Sequence, residues 1–184
     1  NVEKLPWFWE PFHSLTFGIM AGIFVPVLLA IILGFFIFRG RIAGVYVAII
    51  TLAVMIVVYL LIMDQQRFTG GFNGITDLFV LRMGDLEFDA YGSSSYYLIL
   101  LVMTVVLFIS LLITKSRAGL IFQAIRDDEN RVRFLGYSVG TYKTAAMCVS
   151  AAIAGIAGML YTIVMEFASP TFLAVPLSLS IVIW

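Results

Sequence analysis

The sequence is poor in charge and in the side chains that bind metals or form disulfides. Asp, Glu, Lys and Arg make up 12% of its residues, where a soluble domain has about a quarter, and 62% are hydrophobic. That balance nearly rules out a soluble globular enzyme. Eleven basic and eleven acidic residues cancel, so the chain has no polybasic footprint for nucleic acid. The single cysteine, Cys148, excludes an internal disulfide and a multi-cysteine metal site. His13 is alone, so no histidine cluster can hold zinc. Lys115-Ser116 and Lys143-Thr144 are the only Lys-Ser/Thr pairs. Thr114 and Tyr142 precede them where a phosphate-binding P-loop needs glycine, so no ATP site lies in this chain. No hydrolytic constellation can be assembled. No signal-peptide pattern opens the chain, because Glu3, Lys4 and Glu10 are interspersed with Trp and Pro. Its opening at Asn1 and its close within Ile181-Val182-Ile183-Trp184 lead us to expect a fragment of a longer membrane protein or a partial gene.

What is present is apolar length. A bilayer's hydrocarbon core is about 30 Å thick, so a spanning helix needs about 20 apolar residues. Segments 17–38, 43–63, 96–114 and 144–165 meet that requirement, and none contains Asp, Glu, Lys, Arg or His. The expected fold is therefore all-α: a polytopic transmembrane helix bundle, here as one domain incomplete at both ends. A further apolar stretch, 172–184, is interrupted by Pro176 and preceded by Pro170, so it reads as a broken or re-entrant segment. Gly18 and Gly22 form a G-x-x-x-G pair in the first span, and Ala151, Ala154, Gly155 and Gly158 form small-x-x-x-small pairs in the fourth. Such positions let helix backbones approach closely. Pro26 is expected to kink the first span, and Cys148, mid-span, to act as a small packing residue.

The connections differ in charge. Arg39-Gly40-Arg41 is short and basic. Loop 64–95 carries Asp64, Asp77, Asp85, Glu87 and Asp89 against Arg67 and Arg82. Loop 115–143 carries Lys115, Arg117, Arg126, Arg131, Arg133 and Lys143 against Asp127, Asp128 and Glu129. The positive-inside rule puts the first and third connections in the cytoplasm and the second outside. The opening 1–16 then falls outside, where Trp7, Phe8, Trp9 and Phe12 suit an interfacial aromatic belt.

Intramembrane charge marks proton relays and ion paths because burying it is costly. The spans have none, which argues against ion-coupled transport and fits a driving force applied from outside the bilayer. Two loops stand out. Thr69-Gly70-Gly71-Phe72-Asn73-Gly74 has glycines that permit backbone shapes closed to other residues. Its exposed N–H and C=O groups, with Thr69 and Asn73, suit a small polar solute if the loop lines a cavity. The plain alternative is an external turn. In loop 115–143, Leu120, Ile121, Ala124, Ile125, Val132 and Leu135 recur at helical spacing. Asp127 to Arg131 and Glu129 to Arg133 are acid-before-base i,i+4 pairs, and Gly119 and Gly136 bracket the segment as breakers or caps. We expect a short helix or two with one apolar and one charged face. The plain alternative is a solvated charged surface, but the loop is long for a connector, and a docking surface for a cytoplasmic partner is the sharper reading.

At these residues the chain resembles a known family. Arg41-Ile42-Ala43-Gly44-Val45-Tyr46-Val47-Ala48-Ile49-Ile50-Thr51-Leu52-Ala53, the Thr69 to Gly74 run, Ala124-Ile125-Arg126-Asp127-Asp128-Glu129-Asn130 and Leu135-Gly136-Tyr137 resemble the membrane permease subunits of branched-chain amino acid-type ABC importers. Within that group the chain looks most like the urea permease subunit. The pointers are Leu5-Pro6-Trp7-Phe8-Trp9-Glu10-Pro11-Phe12, Asn73-Gly74-Ile75-Thr76-Asp77, Arg131-Val132-Arg133-Phe134-Leu135-Gly136-Tyr137 and Ser180-Ile181-Val182-Ile183-Trp184.

The resemblance implies a multi-pass subunit of the cell (inner) membrane. It would pair with a second permease subunit, two cytoplasmic ATPase subunits and a periplasmic or extracellular solute-binding protein. ATP and Mg would sit on the ATPase chains, so no cofactor belongs to this one. Gly119, Ala124, Ile125, Arg126, Asp127, Glu129, Asn130 and Gly136 would form the coupling loop, and Thr51 with Thr69, Gly70, Gly71, Asn73 and Gly74 would lie on or near the solute path. Many importers carry a Glu-Ala-Ala signature in that loop; this chain reads Phe122-Gln123-Ala124-Ile125-Arg126 and departs from it. The competing readings are an importer of branched-chain amino acids or short amides, and a passive urea channel, which would need no coupling loop.

Overall fold

The computed structural model describes residues 15–40, 42, 44–64, 74, 81–83, 86–88, 92–173, 180 and 183. In chain order its helices are α1 (Leu15–Arg39), α2 (Val45–Asp64), α3 (Ser93–Lys115), α4 (Arg117–Asp127), α5 (Glu129–Phe134) and α6 (Val139–Met165), followed by a 3-10 turn, Pro170–Leu173. The architecture is all-α, with one small addition in the connection between α2 and α3. There β1 (Leu81–Met83) and β2 (Leu86–Phe88) pair antiparallel, with Leu81 opposite Phe88 and Met83 opposite Leu86.

Helices α1, α2, α3 and α6 are long and apolar enough to cross a membrane. Lipid offers backbone groups no hydrogen-bond partner, and a helix satisfies them internally. Basic residues close two of these helices, Arg39 at α1 and Lys115 at α3, where a cation faces the negative end of the macrodipole. α1 continues through Pro26 without a break. α6 starts at Val139, ahead of the apolar run that begins at Thr144. The carbonyl of Ser138 accepts from the N–H groups of Thr141 and Tyr142 at 3.0 and 3.3 Å and so opens the helix early. Lys143, which reads in the sequence as the end of a loop, is therefore on a helix.

The chain divides into two compact units, Asn1–Arg41 with Leu101–Leu160, and Ile42–Leu100 with Tyr161–Trp184. In the first, α1 and α6 run antiparallel in close contact. A Cβ placed on Gly155 would meet the Gly22 carbonyl oxygen at 2.5 Å and Pro26 Cγ at 3.3 Å. One on Gly34 would meet Thr144 Cγ2 at 2.9 Å, and one on Gly140 would meet Phe38 Cβ at 3.8 Å. As numbers rise along α1 they fall along α6. The α1 stripe is Gly22, Pro26, Ala30, Gly34 and Ile37, one helical face, and Ala30 and Ile37 are buried. The close approach expected of Gly22 and Gly155 is present, whereas a Cβ on Gly18 or Gly158 would meet nothing within 4 Å. In the second unit the 3-10 turn packs on α2. Phe172 lies edge-on to Tyr161 and Phe167, at ring-centroid distances of 5.0 and 5.8 Å. Leu28, Phe36, Leu60, Met103 and Phe108 face outward, as suits helices whose surroundings are lipid or further protein.

Candidate functional site

The segment expected to couple to a partner is built from its caps. α3 ends at Lys115, and Ser116 turns the chain into α4. Its hydroxyl accepts from the Gly119 N–H at 3.4 Å and donates to the Ile113 carbonyl at 2.6 Å. Gly119 is buried in the first turn of α4, and any Cβ there would collide with the Thr114 carbonyl. It is thus a close-approach residue inside a helix and not the breaker expected from the sequence. The break falls at Asp128, which ends α4 and caps α5: its Oδ1 accepts from the N–H groups of Asn130 and Arg131 at 3.0 and 3.2 Å. Gly136, at φ +87°, ends α5. Its N–H reaches the Arg133 carbonyl at 2.9 Å, and the Tyr137 N–H reaches the Val132 carbonyl at 3.3 Å, the paired bonds of a Schellman motif. The cap expected at Gly136 is present.

One of the two expected i,i+4 ion pairs forms. Glu129 Oε1 meets Arg133 Nη2 at 2.5 Å. Asp127 and Arg131 do not pair, because the helix stops between them: Arg131 turns to Asp128 at 2.8 Å, and Asp127 lies 3.6 Å from its neighbour Arg126. The expected single apolar face is also divided. Val132 is buried and Ile121 and Ile125 are half-buried, while Leu120, Ala124, Leu135 and Phe134 (91% exposed) face outward. Arg126 and Asp127 join them, with side chains 81% and 72% exposed, and Asn130 is exposed as well.

Lys143 is the partner of this segment that spacing did not disclose. Its ammonium meets the second oxygen of Glu129 at 2.5 Å, so one carboxylate holds a cation from its own helix and one from α6. Lys143 also lies 5.8 Å from the centre of the Phe38 ring on α1. Hydrogen bonding from Lys143 lowers the Glu129 pKa, burial opposes this, and the charges of Lys143 and Arg133 add to the lowering. Beside this junction the end of α1, the end of α5 and the start of α6 enclose a groove of about 560 Å³ lined by Arg39, Arg133, Tyr137, Thr141, Thr144 and Cys148. Phe122 and Tyr142 meet edge-on at 6.1 Å, a further contact between α4 and α6.

Of the expected path residues, Thr69, Gly70, Gly71 and Asn73 lie outside the described residues. Gly74, at φ +69°, sits against the backbone of Ala168 and Ser169 so closely that a Cβ would collide with it. Thr51 is half-buried on α2 in the same unit. Its hydroxyl is 3.0 Å from the Val47 and Ala48 carbonyls, so its proton is spent within the helix and its lone pairs stay available. Where Gly74 docks, the Ser169 and Thr171 hydroxyls bond each other at 2.7 Å. No group of His, Cys, Asp and Glu suited to a metal ion occurs among the described residues.

The family described as the permease component of branched-chain amino acid transport systems matches residues 5–184. The high-affinity branched-chain amino acid transport system permease protein LivM of Salmonella typhimurium (strain LT2) is 31% identical over 173 residues, 82% of this chain and 40% of that protein. Its namesake in Escherichia coli (strain K12) is 32% identical over 161 residues, 76% of this chain and 37% of that protein. The chain thus spans about two fifths of the length of these curated relatives. No solved structure matches it. The relatives are permease proteins of transport systems and not enzymes, and apolar helices of spanning length mark an integral membrane protein. With matched residues running from the opening aromatic segment to the last residue, the chain belongs to the branched-chain amino acid transport permease family.

Proposed function

We propose that this chain is part of a multi-pass inner-membrane permease of an ATP-driven ABC importer, and that α4 and α5 couple it to a cytoplasmic ATPase. The observation that carries this reading is the Glu129 junction. The segment is capped at Ser116, Asp128 and Gly136, so it keeps its shape. It is tied through Lys143 to α6 and turns Leu120, Arg126, Asp127 and Phe134 outward, where a partner can grip them. A push on that surface passes through the ion pair to a membrane-spanning helix. The partners proposed are a second permease subunit, two ATPase subunits carrying ATP and Mg, and an external solute-binding protein. The basic connections lie on the cytoplasmic side and the acidic one outside, and the solute path runs by Thr51 and the segment 69–74.

The solute proposed from the sequence phrases is urea, whose neutral amide suits spans without charge and a lining of hydroxyl and backbone groups. The second reading is branched-chain amino acids, favoured by the names of the relatives. Reconstituting the full-length permease with its partners in vesicles tests both. Accumulation against a gradient must require ATP, and competition between urea and leucine identifies the solute. The double variant R126A/D127A should insert normally and lose most ATP-driven uptake. Uptake by that variant at the native rate would refute the coupling role, and uptake that only equilibrates, with or without ATP, would favour a passive channel.

A further inference from the structure

Glu166 follows the last residue of α6, at the end away from Lys143, and two unusual features meet in it. It is a non-glycine residue with positive φ, +51°, a conformation that strains a side-chain-bearing residue and that helix ends normally give to glycine. Its Oε1 is closed off from solvent and has no hydrogen-bond partner among the described residues. Buried polar atoms nearly always find a partner, so each exception needs a reason, and strained backbone persists where function holds it. A packing role explains neither feature, since a glycine in place of Glu166 would relieve both.

The surroundings say what the missing partner is. A carboxylate only accepts hydrogen bonds, so its complement carries N–H or O–H groups. Just beyond Glu166 lie Ala168 and Ser169, the backbone on which Gly74 is seated, and all of these belong to one compact unit. The proposed function places Gly74 on or near the solute path. From the orphaned oxygen, the strained backbone and this contact, we infer that Glu166 is a solute-binding residue of the path and receives the N–H groups of the transported molecule as it passes Gly74. The inference rests on the importer reading. An amide and an ammonium group share this chemistry. The amide is neutral and the ammonium charged, so they differ in how much of the carboxylate's charge they use.

The test is E166Q, which keeps shape and length, in the complete transporter reconstituted in vesicles. The readout is the ratio of ATP-driven uptake of the native solute to uptake of its N-methylated analogue, because methylation removes N–H donors and a ratio is insensitive to the amount of assembled protein. The ratio should fall about tenfold or more for an ammonium-bearing amino acid and about threefold for urea, since hydrogen bonds to charged groups are the stronger kind. E166D, which retains the charge, should recover part of the ammonium ratio. An unchanged ratio in E166Q alongside normal ATP-driven uptake would overturn the role of Glu166 and leave the importer reading standing. A wild-type transporter with no ATP-driven uptake of any N–H solute would overturn both.

Discussion

Glu129 shows how little a strong-looking contact need contribute to stability while still joining two helices. Its side chain is 29% exposed and that of Lys143 27%, and pairs this accessible to water are worth about 1 kcal/mol or less. In the proposed coupling its value is its direction, from α5 to α6. We expect E129Q and K143M each to lower ATP-driven uptake with little change in thermal stability, and the double variant to be no worse than either single one, as a shared contact requires. Additive losses in a vesicle uptake assay would show that the two residues act separately. The pH response follows from the lowered Glu129 pKa. A carboxylate with a depressed folded pKa stabilises fully above the ordinary glutamate range and loses that contribution as pH falls through the lowered value. Coupling should therefore weaken on acidification below that range in the native protein and be flat there in E129Q. The partnership was invisible in the sequence because Lys143 lies on another helix, beyond any periodic spacing. The Arg133 partner, one turn away, was readable.

At the scale of elements, the helix ends carry most of the information. The apolar runs disclosed the spans because a lipid-crossing helix is specified by length and lack of charge alone. They did not disclose that α6 begins at Val139, since its first turn is held by Ser138 and is not apolar. Of the short helix or two expected between Gly119 and Gly136 the structure has two, divided at Asp128, and the division cancels the Asp127–Arg131 pair and splits the expected single apolar face. Glycine at the two bracketing positions has different reasons, and substitution separates them. G136A forces alanine into a left-handed conformation and should cost about 1 kcal/mol, read as faster proteolytic cutting at Arg131 and Arg133. G119A meets the Thr114 carbonyl with no room to yield and should abolish coupling altogether, whereas G18A, in open space, should be silent. Equal effects from all three would mean that the cap and the close approach are not what these glycines provide. The small hairpin β1–β2 left no alternating pattern long enough to read, and most of the glycine-rich loop lies outside the described residues.

For the molecule as a whole, the α1–α6 pairing is the contact that can be tested without any solute. The Gly140 Cβ position lies 3.8 Å from Phe38 Cβ, within the roughly 3.5–4.5 Å a disulfide needs. F38C/G140C in a C148A background should cross-link on mild oxidation, and adding G155L, which would wedge the other end apart at Gly22, should cut the yield severalfold. Failure to cross-link without the wedge would contradict the antiparallel pairing. Where Gly155 lies against Gly22 no side chain stands between the two backbones, so there is nothing at that point to compress. Under the proposed coupling the paired rods would act as one piston: a stroke delivered beside Lys143 would emerge at Gly22 with its length preserved.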